Sequence, residues 1–320
     1  MNSELIVSPS PHRYTKNSTA RIMLLVIIAL LPSAVMGTVI FGAGAAAVLF
    51  TCVVSCVVFE GVSRKIMKKP QTVSDLSAVV TGLLLGMNLP PTMPLWMAVI
   101  GSFTAIVIAK QLFGGIGQNF ANPAIVGRIV MMLSFTSYMS TWAVPYWYKT
   151  SADVVTGATP LNDEVTYSGT YMDLLFGNCG GCIGEVCAIA LIIGGLFLII
   201  CRVISPVTPV AYIGTVALLA YISGGDPLFH ILSGGLMIGA FFMATDYATT
   251  PLTGKGKLIF GIGCGIITFV IREYGKSYPE GVSFSILLMN LLTPYIDRLT
   301  MTRPLGAKPA SAASGEGKKA

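Results

Sequence analysis

Charge is what this sequence lacks. Only 11% of its 320 residues are Asp, Glu, Lys or Arg, against roughly 25% in an ordinary soluble domain. None of the four occurs between Arg21 and Glu60, nor between Asp75 and Lys110. A helix needs about 20 apolar residues to cross the hydrocarbon core, so each of these stretches has room for two crossings. That excludes a soluble globular domain and points to a polytopic membrane protein, helical wherever its backbone faces lipid. Histidine is equally scarce: His12 and His230 are solitary and are read as having no special role. The chain carries no nucleophile triad, phosphate-cradling P-loop or dinucleotide fingerprint, so it is not expected to bind NAD by itself.

The net charge of +6 does not argue for nucleic acid, because the basic residues flank the apolar runs, as membrane topology requires. No cleavable signal peptide is expected: the first apolar run starts near Ile22, is long enough to span, and leads directly into another. The tail "PLGAKPASAASGEGKKA" is small, polar and low in complexity, and reads as disordered. Of seven cysteines, most lie in apolar runs, where the residue behaves as a small hydrophobe. Cys179 and Cys182, in "CGGC" at a helix mouth, leave three readings open: no special role, a redox-sensitive pair, or half of a metal site.

What is present is a series of about ten apolar helices, approximately 22–41, 43–60, 75–88, 94–110, 123–138, 183–202, 207–224, 228–245, 257–272 and 282–302. Lys16 and Arg21, Arg64 to Lys69, Lys110, Arg202, Lys255 and Lys257, and Arg298 and Arg303 all fall on one side of that series, which the positive-inside rule makes the cytoplasm. The expected organisation is a cytoplasmic segment 1–21, a five-helix repeat 22–138, an acidic extracytoplasmic loop 139–182, a second five-helix repeat 183–303, and a cytoplasmic tail 304–320. "YMSTWAVPYWYK" before the loop reads as an aromatic girdle. Five helices is an odd number, so the two repeats are inverted. In both, the third helix ends in a polar, Pro-containing break, "GLLLGMNLPPTMP" and "GAFFMATDYATTP", and another break precedes the fifth, "FGGIGQNFANPA" and "YGKSYPEGVS". Matched breaks in inverted halves point to an intramembrane site.

Carboxylates close to the membrane are costly and tend to be functional. Asp246, flanked by Thr245, Thr249 and Thr250, together with Glu185 and Asp297, is a candidate for a hard-cation pathway. For Asp246 the alternative is solvation or pairing with Lys255 or Arg298. Arg128 either snorkels or faces a cofactor phosphate. In "GQNFANPA", Gln118, Asn119 and Asn122 offer amide donors and acceptors, while Asn119 and Asn122 could equally cap the next helix, with Pro123 at its first position.

The loop segment "DVVTGATPL", taken alone, is a solvated strip. With "FGGIGQNFANPAIVGR", "GGCIGEVCAIALIIGG" and "FFMATDYATTPLTGKGK" in the same order, it resembles the D subunits of Rnf ion-translocating electron-transport complexes, homologous to the B subunits of the Na+-translocating NADH:quinone oxidoreductase. The resemblance covers about residues 5 to 303. It implies an all-α membrane protein of urea-channel-like architecture in the cell membrane, with both termini cytoplasmic and the motif loop outside. It implies FMN bound to Thr159 through a phosphoester, with Asp153, Thr156, Gly157 and Ala158 completing the motif read by a flavin transferase. It also implies a second, noncovalent flavin, riboflavin or FMN, near Gln118, Asn119 and Asn122. The partners implied are other subunits of the complex, among them another covalent-FMN subunit and iron–sulfur subunits, and the translocated ion is Na+ or H+. Two rival functions remain, a quinone-reducing homologue of the same class and a urea-like solute channel, which would have no use for an ester-linked flavin. "CGGCIGE" departs from the Pro-Gly-Ser type of segment expected before Ile183.

Overall fold

The computed structural model describes residues 18–146, 156–157, 170–275 and 281–301, and these are mostly helical. Helix α1 (Thr19–Phe41) starts at Ser18, whose hydroxyl accepts from Arg21 N at 3.3 Å. It turns through the single residue Gly42 (φ 78°) into α2 (Ala43–Ile66). Only glycine takes that φ without strain. Helices α3 (Ser77–Met87), α4 (Leu95–Phe103, continuing π-wound through Thr104–Gln111) and α5 (Pro123–Ser134) follow. After the loop come α8 (Ala188–Ile200), α9 (Val207–Ile222), α10 (Pro227–Leu232), α11 (Leu236–Ile238, π-wound through Gly239–Met243), α12 (Gly254–Tyr274) and α13 (Val282–Thr300). Among the described residues, α1, α2 and α12 are long and apolar enough to cross a membrane, and several of the others are shorter apolar helices.

The outward faces are apolar. On α1, Leu24, Ile28, Leu31, Val35 and Val39 are exposed; on α2, Phe50, Val54, Val58, Val62 and Ile66 are. Stripes at helical spacing on this scale would be an aggregation hazard in water; in lipid they are the solvated surface. Inside, α1 packs on α8, α2 on α3 and α4, α9 on α12, α12 on α13, and α5 reaches α13. Small residues set the closest approaches: a Cβ on Gly82 of α3 would lie 2.7 Å from Val53 Cα and 2.8 Å from Cys52 O on α2.

Three expected helices differ. The helix expected over 183–202 starts at Ala188, because Ile183 and Gly184 donate their amide hydrogens to Leu89 O (3.2 Å) and Met87 O (2.7 Å) at the end of α3 and not to their own chain segment. The helix expected over 228–245 is interrupted at residues 233–235, with Gly234 at φ 64°. The helix expected over 123–138 stops at Ser134, and a short turn, α6 (Thr136–Met139), follows. The loop 139–182 also has structure of its own. Strand β1 (Trp142–Ala143) pairs antiparallel with β2 (Thr156–Gly157), Trp142 opposite Gly157 and Ala143 opposite Thr156. Helix α7 (Tyr171–Phe176) opens with a capping box between Thr170 and Asp173.

Candidate functional site

Helices α3 and α11 end against each other. Asn88, one residue past α3, places Nδ2 3.8 Å from Met243 Sδ at the end of α11. A helix that stops inside the protein leaves orphan carbonyls, and without water each must find a donor. Here the donors come from the opposite half. Ile183 and Gly184 serve Leu89 and Met87, and Asn122 Nδ2 serves Met243 O at 3.3 Å. Gly184 permits the approach, since a Cβ there would meet Met87 Cβ at 2.6 Å.

The two ends carry different chemistry. Beside α3, Arg128 of α5 donates from Nη1 to Asn88 Oδ1 and from Nη2 to Glu185 Oε1 at 2.9 Å; Cys182 Sγ is 3.7 Å from Nη2. Arg128 is 1% exposed and Glu185 7%. A buried carboxylate in that position is tolerable because the guanidinium compensates it. Glu185, read from the sequence as the start of a helix, thus lies in a non-helical break. Arg128 does not snorkel: it is the core of this cluster.

Beside α11 lies a cavity of about 340 Å³. Ile22, Met23 and Val26 of α1, Val80 and Leu84 of α3, and Phe241 and Phe242 form its apolar wall; Ser77, Thr81, Lys110, Asn119, Asn122, Thr245 and Asp246 supply polar groups. The fold therefore brings Asn119 and Asn122 of the first half together with Asp246 of the second. Gln118, Glu185 and Asp297 do not line it. Asn122 is committed to the protein: its Oδ1 accepts from Ala124 N at 3.0 Å as the cap of α5, with Pro123 at the first position. Asn119 donates to Ala121 O at 3.1 Å.

Asp246 accepts from Thr249 Oγ1 at 3.3 Å. The other two hydroxyls donate to backbone, Thr245 to Phe241 O (2.6 Å) and Thr250 to Ala244 O (3.0 Å), which fixes their orientation at the end of α11. Among the described residues neither Lys255 nor Arg298 is paired with Asp246, and the ion pairs present are Arg128–Glu185 and Lys110–Glu60. Asp297 accepts from Leu252 N at 3.0 Å and so holds the segment after the break. The Lys110–Glu60 pair, at 2.7 Å and buried, with Ser77 and Thr72 as further partners, escaped the sequence reading. Its signal was two charges at the ends of apolar runs, which looked like topology markers.

Cys179 is a partly buried thiol and Cys182 a fully buried one beside Arg128. No cluster of three metal-ligating side chains occurs among the described residues. Of the loop motif, the backbone of Thr156 and Gly157 is in β2, while Asp153, Ala158 and Thr159 lie outside the described residues.

Comparison with known proteins agrees with the landmarks. The D subunit of a Na+-translocating ferredoxin:NAD+ oxidoreductase complex from Acetobacterium woodii is 51% identical over 308 residues, covering 94% of this chain and 95% of the relative. The D subunit of a proton-translocating ferredoxin:NAD+ oxidoreductase complex from Clostridium ljungdahlii is 45% identical over 94% of this chain and 96% of the relative. The D subunit of an ion-translocating oxidoreductase complex from Cellvibrio japonicus is 37% identical over 93% and 94%. With the model of the NQR2, RnfD, RnfE family matching residues 6–306, the chain belongs to that family.

Proposed function

We propose that the chain is the D-type membrane subunit of an Rnf ferredoxin:NAD oxidoreductase, carrying flavin and coupling transmembrane electron transfer to the movement of Na+ or H+. The observation that carries this proposal is near-full-length similarity to such subunits combined with an intact Asp153-x-x-Thr156-Gly157-Ala158-Thr159 strip. One relative is named for Na+ and another for protons, so the ion stays open between the two.

In this proposal Thr159 carries FMN as a phosphoester on the outer side of the membrane, where a flavin transferase reaches the strip. Small Gly157 and Ala158 keep the hydroxyl accessible to it. Backbone pairing of Thr156 and Gly157 with Trp142 and Ala143 tethers the strip next to the aromatic girdle. The second flavin, riboflavin or FMN, occupies the cavity beside Asp246. The residues fit a flat ring: apolar walls with a few polar groups, in a volume of about 340 Å³, within the roughly 300–1,000 Å³ of small-molecule sites. Asn119 is the amide that faces such a ligand, whereas Asn122, already bonded on both sides, positions the wall. A bound flavin supplies electron-transfer chemistry that no side chain here can. Asp246, bordering the same cavity, is the carboxylate placed to meet the cation.

Ten crossings in two inverted halves, with cytoplasmic termini, fit this role. Support comes from the end-to-end meeting of Asn88 and Met243 and from the packing of α1 on α8 and α5 on α13. In-gel flavin fluorescence of the denatured chain tests the proposal: the wild type should fluoresce under ultraviolet light, and Thr159→Ala should not. Full fluorescence in Thr159→Ala would sink the assignment.

A further inference from the structure

The loop after α4 carries a feature that the flavin and the ion pathway leave unused. Gly114, Gly115 and Gly117 adopt φ of 125°, 107° and 82°, backbone that residues with a Cβ rarely take. Their course lays the loop against the end of α2: a Cβ added at Gly115 would collide with Arg64 Nη2, and Gln111 Oε1 lies 3.8 Å from the same point. Arg64 is 6% exposed and Gln111 1%. Among the described residues, Arg64 Nε and both amide heteroatoms of Gln111 have no hydrogen-bond partner. Glu60, one turn earlier on α2, is already held by Lys110 at 2.7 Å and Thr72 at 2.8 Å. Burying a cation without an acceptor is costly, and none of the described residues supplies one.

The rim shows what kind of molecule brings it. Ile66, Leu112, Phe113 and Ile116 are exposed beside the buried guanidinium, and Lys65, Lys68 and Lys69 are exposed around it. We propose that Arg64 and Gln111, beneath the glycine loop, bind the phosphodiester headgroup of an anionic phospholipid, with its acyl chains along Leu112 and Phe113. The guanidinium fork matches two phosphate oxygens, and the lysines attract the negative headgroup. A soluble phosphate would have no use for the apolar rim.

The full-length chain in detergent, titrated with phosphatidylglycerol, phosphatidylcholine and inorganic phosphate and read by native mass spectrometry, tests this. The wild type should retain phosphatidylglycerol in preference to phosphatidylcholine. Arg64→Gln should weaken that retention about tenfold, a charge-assisted bidentate contact being lost. Lys68→Gln should weaken it less. Gly115→Ala, whose methyl group takes the space beside Nη2, should also lower it with Arg64 intact. Unchanged retention in Arg64→Gln, equal retention of both lipids by the wild type, or displacement by inorganic phosphate would each overturn the proposal. Should these variants fail to fold, hydrogen exchange of the wild type in nanodiscs decides: residues 111–118 should be better protected in phosphatidylglycerol than in phosphatidylcholine, and equal protection overturns the site.

Discussion

Arg128 and Glu185 are 57 residues apart in sequence and form a buried ion pair at 2.9 Å, where the break before α8 meets the end of α3. Removing either partner leaves the other charge buried without its counter-charge. Arg128→Ala or Glu185→Ala should therefore lower the unfolding free energy by about 3–5 kcal/mol. The double change Arg128→Met with Glu185→Leu should recover most of that loss. Equilibrium unfolding of the purified chain in mixed micelles checks it; single variants within about 1 kcal/mol of wild type would mean that solvent screens the pair.

Asp246 borders the cavity and has no ion-pair partner among the described residues. Asp246→Ala should depress uptake of the translocated ion, Na+ or H+, by vesicles holding the whole complex while leaving the covalent flavin fluorescence assigned to Thr159 normal. Lys255→Ala should leave uptake unchanged, since Lys255 is not bound to Asp246. Equal loss in both variants would reduce Asp246 to a structural partner of the break.

Thr156 pairs through its backbone with Ala143, an interaction that any side chain permits. Thr156→Ala should therefore weaken in-gel flavin fluorescence without abolishing it, as expected of a residue that the transferase reads but does not modify. Complete loss of fluorescence would move the acceptor role from Thr159 to Thr156.

Charge placement sets orientation. A membrane-impermeant thiol reagent applied to intact cells should label a cysteine introduced by Ser168→Cys and spare one introduced by Lys68→Cys. Reversed labelling would put the flavin strip on the cytoplasmic side.

On the side assigned to the exterior, Tyr171 of α7 donates its hydroxyl to Asp226, the residue that caps α10. That donation, helped by the α10 backbone amides and opposed by burial, holds the Asp226 carboxyl below its ordinary value. A depressed folded pKa means the contact stabilises above the unfolded value, about 3.9, and is lost as pH falls through the lower folded value. Tyr171→Phe should raise the Asp226 pKa toward the unfolded value in a carbon-13 NMR titration of the carboxyl. An unmoved titration would show that the amides of α10 alone set it.

The breaks that frame the candidate site were legible in the sequence because their signals are local. Charge-free runs mark lipid-facing segments wherever they fold, and the breaks at Asn88 and Asp246 are written in glycine, proline and hydroxyl residues. Asn122 before Pro123 reads as a helix cap and is one. What the sequence could not decide was which orphan group meets which donor. "GCIGEVCAIA" has the composition of a continuous helix, yet Ile183 and Gly184 give their hydrogens to Leu89 and Met87, and the helix starts at Ala188. The hydroxyls around Asp246 read as oxygen ligands, and the fold adds that two of the three donate to backbone carbonyls at the end of α11. Glu60 and Lys110 looked like boundary charges, though 50 residues apart they neutralise each other in the interior. In a medium without water every polar group must find its partner within the protein, and when that partner lies in the other half of the chain only the tertiary structure names it.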